Sequence, residues 1–316
     1  MKLLITGGAG FIGSDLVRYV NRTQPDWQVD VLDDLSTGRA DNLVGTSARL
    51  IEGSILDQEL LDAAVNGSSA IVHLAAIPSV PRSVLAPRPS HEANATGTLN
   101  VLEAARGHGV DKVIVASSSS VYGSNPALPK SETDWTRPMS PYGVSKLAAE
   151  GYALGHNFAY GMKNIAFRFF NVYGPGQAAD HDYAAVIPKF LDAALSGQPL
   201  TVHGDGRQSR DFTFVETVSS VITAAIREGV ESNDPVNLAY GTNTSLLELI
   251  GELEEVLGTR LEVVHDEARV GDVRDSQSDG VRVRALFPGI EPVELRPGLE
   301  ATVEWFRRTR AAGGDA

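Results

Sequence analysis

Tyr142 and Lys146 stand four residues apart in the segment SPYGVSK, a spacing that places both side chains on one face of a helix. Pro141 favours the first helical turn, where its missing N–H removes no hydrogen bond. A phenol with a pKa near ~10 is a poor base at neutral pH unless a cation stabilises the phenolate. Lys146 has the spacing to supply that charge. Because the same spacing is common in surface helices, other features must show whether a redox cofactor reaches this pair.

A glycine-rich turn near the N-terminus has the composition of a phosphate-binding loop. Residues 2–6 are predicted to form a buried strand and residues 11–20 an amphipathic helix, with GGAGFIG between them. Glycines in such a turn let the backbone approach a pyrophosphate, and the N-terminus of the helix offers N–H groups to it. The glycines of this motif are Gly7, Gly8, Gly10 and Gly13.

Asp33 follows a second predicted strand, residues 28–32, and lies 20 positions after Gly13. A carboxylate at this distance binds the ribose hydroxyls of adenosine and repels a 2′-phosphate. We therefore predict NAD, not NADP, as the cofactor.

The N-terminal half alternates strands with helices, which predicts a parallel sheet. The further predicted strands are 49–52, 70–74, 112–116 and 164–170, and the further predicted helices are 57–65 and 93–105. The predicted fold class is α/β, a Rossmann-type doubly wound parallel sheet with a smaller α/β substrate-binding lobe. The serine run 117–120 is expected just past the end of a strand, on the sheet edge where ligands bind.

The composition is that of a globular protein with a large core, since 42% of the 316 residues are hydrophobic. The absence of cysteine excludes disulfides and thiolate metal sites, and no metal is predicted. A net charge of −13 argues against nucleic-acid and membrane partners. The first apolar run is too short for a signal peptide, so a cytoplasmic location is expected.

Eight motifs together give the sequence its resemblance to a known family: GGAGFIG, Asp33 with LSTG, HLAA, SSSSVYG, SPYGVSK, RFFNVYGP, GDGRQSRDF and RVGDVRDS. With them, nearly the whole chain resembles the extended short-chain dehydrogenase/reductases, and within these the NAD-dependent nucleotide-sugar epimerases and dehydratases, above all UDP-hexose 4-epimerases. The resemblance implies that Tyr142 is the catalytic base and acid, that Lys146 binds the nicotinamide ribose and lowers the pKa of the tyrosine, and that Ser118 assists proton transfer.

The same resemblance implies a set of cofactor contacts along the first half of the chain. These are Gly7, Gly10, Phe11, Ile12, Gly13, Asp33, Asp34, Ser36, Thr37, Gly38, Ser54, Ile55, Leu74, Ala75, Ala76, Asn94, Ala116, Ser117, Tyr142 and Lys146. The chain departs from the family pattern at Asp15, where histidine is common, at Ser54, where aspartate is common, and at Asp34, where asparagine is usual.

A second implied set of residues contacts a UDP-sugar. They are Ser79, Ser118, Ser119, Asn171, Val186, Ile187, Lys189, Phe190, Thr201, Val202, His203, Arg210, Arg269, Asp272 and Ser276. Arg210 and Arg269 are expected to bind the diphosphate, because one guanidinium group can donate two parallel hydrogen bonds to phosphate oxygens. Asp272 is expected to fix the ribose or an arginine.

Residues next to Ser118 separate the sibling reactions of the family. Its 4,6-dehydratases usually carry Asp-Glu immediately after the catalytic hydroxyl, and its decarboxylases place glutamate two residues after it, whereas this chain has Ser119 and Ser120. Epimerisation at carbon 4 is therefore favoured. A tyrosine at the position of Ser276 often restricts such epimerases to unsubstituted hexoses, so serine predicts room for N-acetylated sugars as well.

Several alternatives remain at this stage. They are a UDP-glucuronate 4-epimerase, another nucleotide-sugar reductase or dehydratase, and a non-catalytic NAD-sensing module, since one fold supports many functions. The predicted domains are residues 1–170 with 212–239 for NAD and residues 171–211 with 240–316 for the nucleotide sugar. The resemblance also implies a homodimer that packs through the helix of Tyr142 and the helix of residues 92–106.

Overall fold

A parallel sheet of seven strands lies at the centre of the computed structural model, which describes residues 1–179, 184–267 and 274–313. The strands within these ranges are, in chain order, β1 (Lys2–Thr6), β2 (Gln28–Asp33), β3 (Arg49–Glu52), β4 (Ala70–His73), β5 (Val113–Ser118), β6 (Ile165–Phe169), β7 (Asn171–Tyr173), β8 (Leu200–His203), β9 (Ser209–Arg210), β10 (Phe212–Phe214), β11 (Val236–Leu238), β12 (Thr244–Ser245), β13 (Val263–Asp266) and β14 (Asp275–Ser276).

The α-helices connect and cover these strands. In chain order they are α1 (Phe11–Thr23), α2 (Gln58–Val65), α3 (Val80–Leu85), α4 (Pro87–His91), α5 (Gly97–Gly107), α6 (Pro141–Tyr160), α7 (Val186–Leu195), α8 (Val215–Arg227), α9 (Leu246–Leu257), α10 (Val281–Leu286) and α11 (Leu295–Gly313). A π-helical turn, Glu92–Thr96, joins α4 to α5, and 3₁₀ turns form at Ala40–Leu43 and Ser119–Val121.

The sheet has the strand order β11-β6-β5-β4-β1-β2-β3, and its neighbouring strands pair in parallel. The chain leaves β1 toward β2 and later returns on the other side of β1 as β4. In open parallel sheets, ligands bind in the crevice beyond the carboxyl ends of strands at such a switch point. The predicted Rossmann-type fold class is confirmed.

Side chains that alternate along the strands fill two cores, one on each face of the sheet. Leu3 and Ile5 of β1 pack with α1, α8 and α10 on one face, whereas Leu4 packs with α2, α5 and α6 on the other. Strands that are buried on both faces have continuous apolar sequences. For this reason strands could be predicted at residues 2–6 and 70–74.

A second lobe has a separate core. Its apolar residues come from β7, β8, β10 and helices α7, α9 and α11. Small sheets brace it: β7 with β10, β9 between β12 and β14, and β8 with β13. Residues 212–239 were expected in the cofactor domain, but at their start β10 pairs with β7 and buries Phe212 and Phe214 in this second core. The following helix, α8, packs on α1 as expected.

Local signals fix both ends of α6, the helix that carries Tyr142 and Lys146. The Ser140 hydroxyl accepts a hydrogen bond from the N–H of Gly143, and Pro141 occupies the first turn. Gly161 ends the helix in the left-handed conformation, with a φ of 70°. Among the described residues, no helix is both long and apolar enough to cross a bilayer.

Candidate active site

The glycine turn between β1 and α1 is packed too closely to accept side chains at two positions. A Cβ on Gly7, whose φ is +72°, would lie 2.5 Å from the backbone nitrogen of Ala75, and a Cβ on Gly13 would lie 2.3 Å from the Gly7 carbonyl oxygen. Gly10 caps α1 without a side-chain hydrogen bond. The first-turn N–H groups therefore face an anion that approaches this turn.

Asp33 lies at the carboxyl end of β2 and links that strand to the glycine turn. Its carboxylate is 7% exposed and accepts hydrogen bonds from the N–H groups of Ala9 and Leu35, both at 2.9 Å. Burial raises the pKa of Asp33, and the two N–H donors oppose this rise. Each carboxylate oxygen keeps a lone pair for a ribose hydroxyl, so the turn and Asp33 together fit the adenosine half of a dinucleotide.

The loop after Asp33 folds over the glycine turn. The N–H of Arg39 donates to the carbonyl of Ala9 at 3.1 Å, and a Cβ on Gly38 would lie 2.8 Å from the Ala9 carbonyl carbon. Asp34 accepts hydrogen bonds from the N–H and hydroxyl of Ser36, which holds the loop in an Asx turn. The predicted contacts 34–38 thus lie beside Gly7 to Gly13.

Other predicted cofactor contacts lie at neighbouring strand ends. Ser54 and Ile55 follow β3; the Ser54 hydroxyl accepts a hydrogen bond from the N–H of Leu56, and Ile55 is buried against α5. Leu74, Ala75 and Ala76 follow β4, next to Gly7. Phe11 and Ile12 are half-buried in the first turn of α1.

His73, in the HLAA motif, is buried between β1 and α5. Its ring bonds the Thr6 hydroxyl at 2.7 Å and the Thr98 hydroxyl at 2.9 Å. Burial lowers the pKa of His73 to about 3, and the nearby charge of Lys146 adds to this lowering. The ring is therefore neutral and serves to fix the end of β4.

Lys146 and Tyr142 lie on α6 against the end of β5. Lys146 is 6% exposed and donates to the carbonyl oxygen of Ala116 at 2.8 Å, and burial lowers its pKa to about 8. Tyr142 is half-buried, and the Ser118 hydroxyl lies close enough to its phenol to act on the phenol pKa. The structure therefore brings together the phenol, the hydroxyl and the ammonium that the sequence singles out.

The pKa of Tyr142 differs from the expectation. Burial raises it, and the hydrogen bond with Ser118 only opposes that rise. The sequence-based expectation was a pKa lowered by Lys146. The net direction is opposite because burial is the largest effect on the phenol and the ammonium of Lys146 is directed to the Ala116 carbonyl.

The serine run was expected to lie just past the end of a strand. In the structure β5 continues through Ser118, so the first two serines of the run belong to the strand. Alternation along β5 then sends successive side chains to opposite faces. The hydroxyl of Ser117 donates to Glu150 at 2.8 Å, and Glu150 is paired with buried Arg168 at 2.7 Å. The side chain of Ser117, a predicted cofactor contact, is therefore engaged within the protein.

Asn94 was predicted to bind the cofactor, but its amide is engaged within the protein. It lies in the π-helical turn, accepts from the N–H of Ile77 at 2.7 Å and donates to the Ser145 hydroxyl at 3.0 Å. The Ser145 hydroxyl in turn donates to the carbonyl of Tyr142 at 2.8 Å. Asn94 therefore acts on Tyr142 through a relay of hydrogen bonds.

Ser83 is a site residue that the sequence analysis missed. Its buried hydroxyl accepts from the N–H of Tyr142 at 3.0 Å and donates to the carbonyl of Val80 at 2.7 Å. A serine 59 residues away from Tyr142 gives no local signal of this contact. Ser79, a predicted substrate contact, caps the same short helix, α3, by accepting from the N–H of Arg82.

The predicted substrate contacts of the second lobe fall into two groups. Asn171, Arg210 and Ser276 lie on β7, β9 and β14, and β9 pairs with β14 at these last two residues. The Arg210 guanidinium donates to the carbonyls of Ser209 and Arg274. Arg269 and Asp272 lie outside the described residues.

The second group lies on α7 and β8, where burial divides the predicted contacts. The side chains of Ile187, Phe190 and Val202 belong to the second core, so these side chains are not available to a nucleotide. Val186, Lys189 and His203 are half-buried, and Thr201 is exposed. Strand alternation explains the division on β8, because Leu200 and Val202 face inward while Thr201 and His203 face outward.

Comparisons with known proteins bear on this arrangement. Residues 3–239 match the model of the NAD dependent epimerase/dehydratase family. A UDP-glucose 4-epimerase of Mycolicibacterium smegmatis is 37% identical over 97% of this chain and 99% of that protein. A dTDP-glucose 4,6-dehydratase of Streptomyces niveus is 33% identical over 98% of this chain and 94% of that protein. The crystal structure of UDP-glucose 4-epimerase with UDP-glucose from Thermotoga maritima superposes with a TM-score of 0.91, at 36% identity, and covers 98% of this chain and 100% of that one.

Proposed function

Because the chain belongs to the NAD-dependent epimerase/dehydratase family, we propose that it interconverts UDP-hexoses that differ in configuration at carbon 4, through a 4-keto sugar. The proposed pairs are UDP-glucose with UDP-galactose and UDP-N-acetylglucosamine with UDP-N-acetylgalactosamine. When bound, NAD⁺ supplies the capacity to accept a hydride from carbon 4 and to return it. The remaining tasks belong to the side chains of the protein.

Tyr142 is the proposed base and acid. It takes the proton of the sugar 4-hydroxyl as the ketone forms and gives it back when the hydroxyl is restored on the other face. Ser118, whose hydroxyl lies near the phenol, is the proposed second hydrogen-bonding partner of the same sugar oxygen. Because burial raises the pKa of Tyr142, its phenolate needs a nearby positive charge, and Lys146, with a pKa of about 8, is protonated at neutral pH.

The observation that carries the choice of reaction is the pair of hydroxyls beside Ser118. Ser119 and Ser120 form the turn that follows β5, and a Cβ on Gly143 would lie 2.8 Å from the Ser120 carbonyl oxygen. This turn therefore lies against the first turn of α6, next to Tyr142. The dehydratases and decarboxylases of the family usually carry acidic residues at these positions, and serine is neither a general acid nor a general base near neutral pH.

The proposed nucleotide site lies across β7, β9 and β14. Asn171 and Arg210 are the proposed diphosphate contacts, and half-buried Ser276 is the proposed neighbour of the sugar. A small residue at Ser276 leaves space for an N-acetyl group, which supports the second pair of substrates. The similarity to a UDP-glucose 4-epimerase with UDP-glucose bound supports UDP as the nucleotide.

A panel of UDP-sugars tests the proposal. The purified protein is incubated with UDP-glucose, UDP-N-acetylglucosamine and UDP-glucuronate, with and without added NAD⁺, and the products are resolved by NMR. We expect the 4-epimers of the first two. Tyr142→Phe should abolish epimerisation while bound NAD is retained. A 4-keto-6-deoxy product, a decarboxylated sugar or turnover by the Tyr142→Phe variant would contradict the assignment.

A further inference from the structure

Asp211 is a buried carboxylate at the centre of the proposed nucleotide-sugar lobe. Its side chain is 0% exposed and accepts hydrogen bonds from donors on two other segments. One oxygen accepts from the N–H groups of Gly241 and Ser278, each at 3.0 Å. The other accepts from the N–H of Thr242 at 3.2 Å and from its hydroxyl at 2.8 Å. Both oxygens are therefore fully used as acceptors.

The peptide groups of Asp211 touch the proposed substrate contacts themselves. Its N–H donates to the carbonyl of Ser276 at 2.7 Å, which fixes β14 beside β9. Its carbonyl accepts from the side-chain amide of Asn171 at 3.3 Å. Arg210 is the preceding residue and pairs directly with Ser276. One residue thus connects the three side chains that we assign to the diphosphate and the sugar.

From this geometry we propose that Asp211 is a positioning residue, which sets the relative places of Asn171, Arg210 and Ser276 for the nucleotide sugar. The proposal rests on the function proposed above. Asp211 itself is buried beneath these side chains and takes no part in proton or hydride transfer. Tyr142 and Lys146 lie on α6, packed on the first lobe, so a change at Asp211 should affect substrate binding and leave the chemical step intact.

Asp211→Asn tests this assignment. An amide keeps one acceptor oxygen but turns an NH₂ group toward two donors, whichever way it is oriented, so two segments must shift. We expect KM for the UDP-sugar to rise about tenfold or more, with kcat changed by less than about threefold. The dissociation constant for UDP, measured by calorimetry, should rise in parallel, and the content of bound NAD should stay that of the wild type.

The same lobe offers a matched control at Asp275. This carboxylate also ties β14 to β9, but within the described part of the chain just one of its oxygens accepts hydrogen bonds, from the N–H and hydroxyl of Ser209. Asparagine retains that oxygen, so Asp275→Asn should leave KM unchanged. A second variant, Thr242→Val, removes the hydroxyl that bonds Asp211 and Phe212 while the carboxylate stays, and should raise KM by a smaller factor.

These measurements separate the two proposals. An unchanged KM and unchanged UDP affinity in Asp211→Asn, or an equal rise in Asp275→Asn, would overturn the positioning role. So would a fall in kcat with KM unaltered. If Asp211→Asn does not fold, Thr242→Val decides the question by the same readouts. Failure of the wild type to form 4-epimers would reject the proposed reaction, while the UDP affinities would still test Asp211.

Discussion

The backbone N–H and the backbone carbonyl of Tyr142 are each hydrogen-bonded to a serine hydroxyl. The Ser83 hydroxyl accepts from its N–H, and the Ser145 hydroxyl donates to its carbonyl. Both contacts lead to the segment that follows β4, directly through Ser83 and through Asn94 to Ile77. The position of the proposed base thus depends on this segment as much as on the helix that carries it.

We expect Ser83→Ala to lower kcat about tenfold or more, because the Tyr142 N–H loses its partner and a small displacement of a catalytic group is costly. The KM for the UDP-sugar should change less. Steady-state kinetics with UDP-glucose measures both. Ser90→Ala is the matched control, since Ser90 is also buried but its hydroxyl has no partner among the described residues. Equal kcat values in the two variants would reject the role of Ser83.

Ser276 offers a second test at the residue scale. It is half-buried on β14 opposite Arg210. We expect Ser276→Tyr to abolish turnover of the N-acetylated pair and to keep most of the activity on UDP-glucose and UDP-galactose, because the larger side chain occupies the space of the N-acetyl group. The measured quantity is the ratio of kcat/KM for the two pairs. A similar loss for both pairs would remove Ser276 as a size gate.

The packing of α1 against α8 contains a buried acid. Asp15 accepts a hydrogen bond from the Ser219 hydroxyl at 2.6 Å, and burial raises its pKa to about 6, against which that hydrogen bond acts. The folded state therefore holds a proton on Asp15 more tightly than the unfolded chain does. The contribution of Asp15 to the free energy of unfolding therefore falls as the pH rises from about 4 to about 6. Above that range Asp15 is ionised in both states, and its destabilising effect stays constant.

We expect Asp15→Asn to raise the free energy of unfolding by about 1–2 kcal/mol at pH 7.5, after allowance for its partial exposure. The gain should shrink as the pH falls toward 4, because the folded carboxyl is then protonated and the unfolded one is increasingly so. Urea unfolding at the two pH values measures it. Glu228→Gln, at an exposed acid just after α8 that does not act on Asp15, should show no such gain. A gain of equal size at both pH values would mean that ionisation of Asp15 is not its cause.

Elements with strong local signals were predicted closely from sequence. The bounds of β1 and β3, the start of α6 and the glycine turn follow from apolar runs, from Pro141 in the first helical turn and from glycines. The pairing of β10 with β7 was not predictable, because partner choice between short strands depends on the tertiary fold. The π-helical turn at Glu92–Thr96 was likewise read as part of one helix.

The candidate site likewise contains some features that could be predicted from sequence and others that could not. Motif spacing predicted that Tyr142, Lys146 and Ser118 form one catalytic group; the structure places all three at the end of β5, and their roles stay a prediction. The partners that hold Tyr142 in place, Ser83 and Asn94, are distant in sequence. Their role is visible only in the folded structure. The direction of the Tyr142 pKa shift was also beyond the sequence, since it depends on burial.

On the scale of the whole molecule, α6 has an apolar outer face that nothing in the described chain covers. Val144, Tyr152 and Phe158 are exposed along it. Gly151 lies on the same stretch of helix, and a Cβ there would meet nothing within 4 Å. Such a face is typical of a protein–protein contact, and helices approach closely where side chains are small. We propose that it packs against a second copy of this chain in a homodimer.

Phe158→Glu should convert the dimer to a monomer, because a charge at the centre of an apolar contact loses its hydration without gaining a partner. Phe158 is 74% exposed, and Val44, at 73%, gives a control of equal exposure on a different surface, so Val44→Glu should remain dimeric. Light scattering after size-exclusion chromatography measures the mass. The monomer should keep bound NAD, since the glycine turn and Asp33 lie within one chain. A monomeric wild type, or equal dissociation by both variants, would refute this interface.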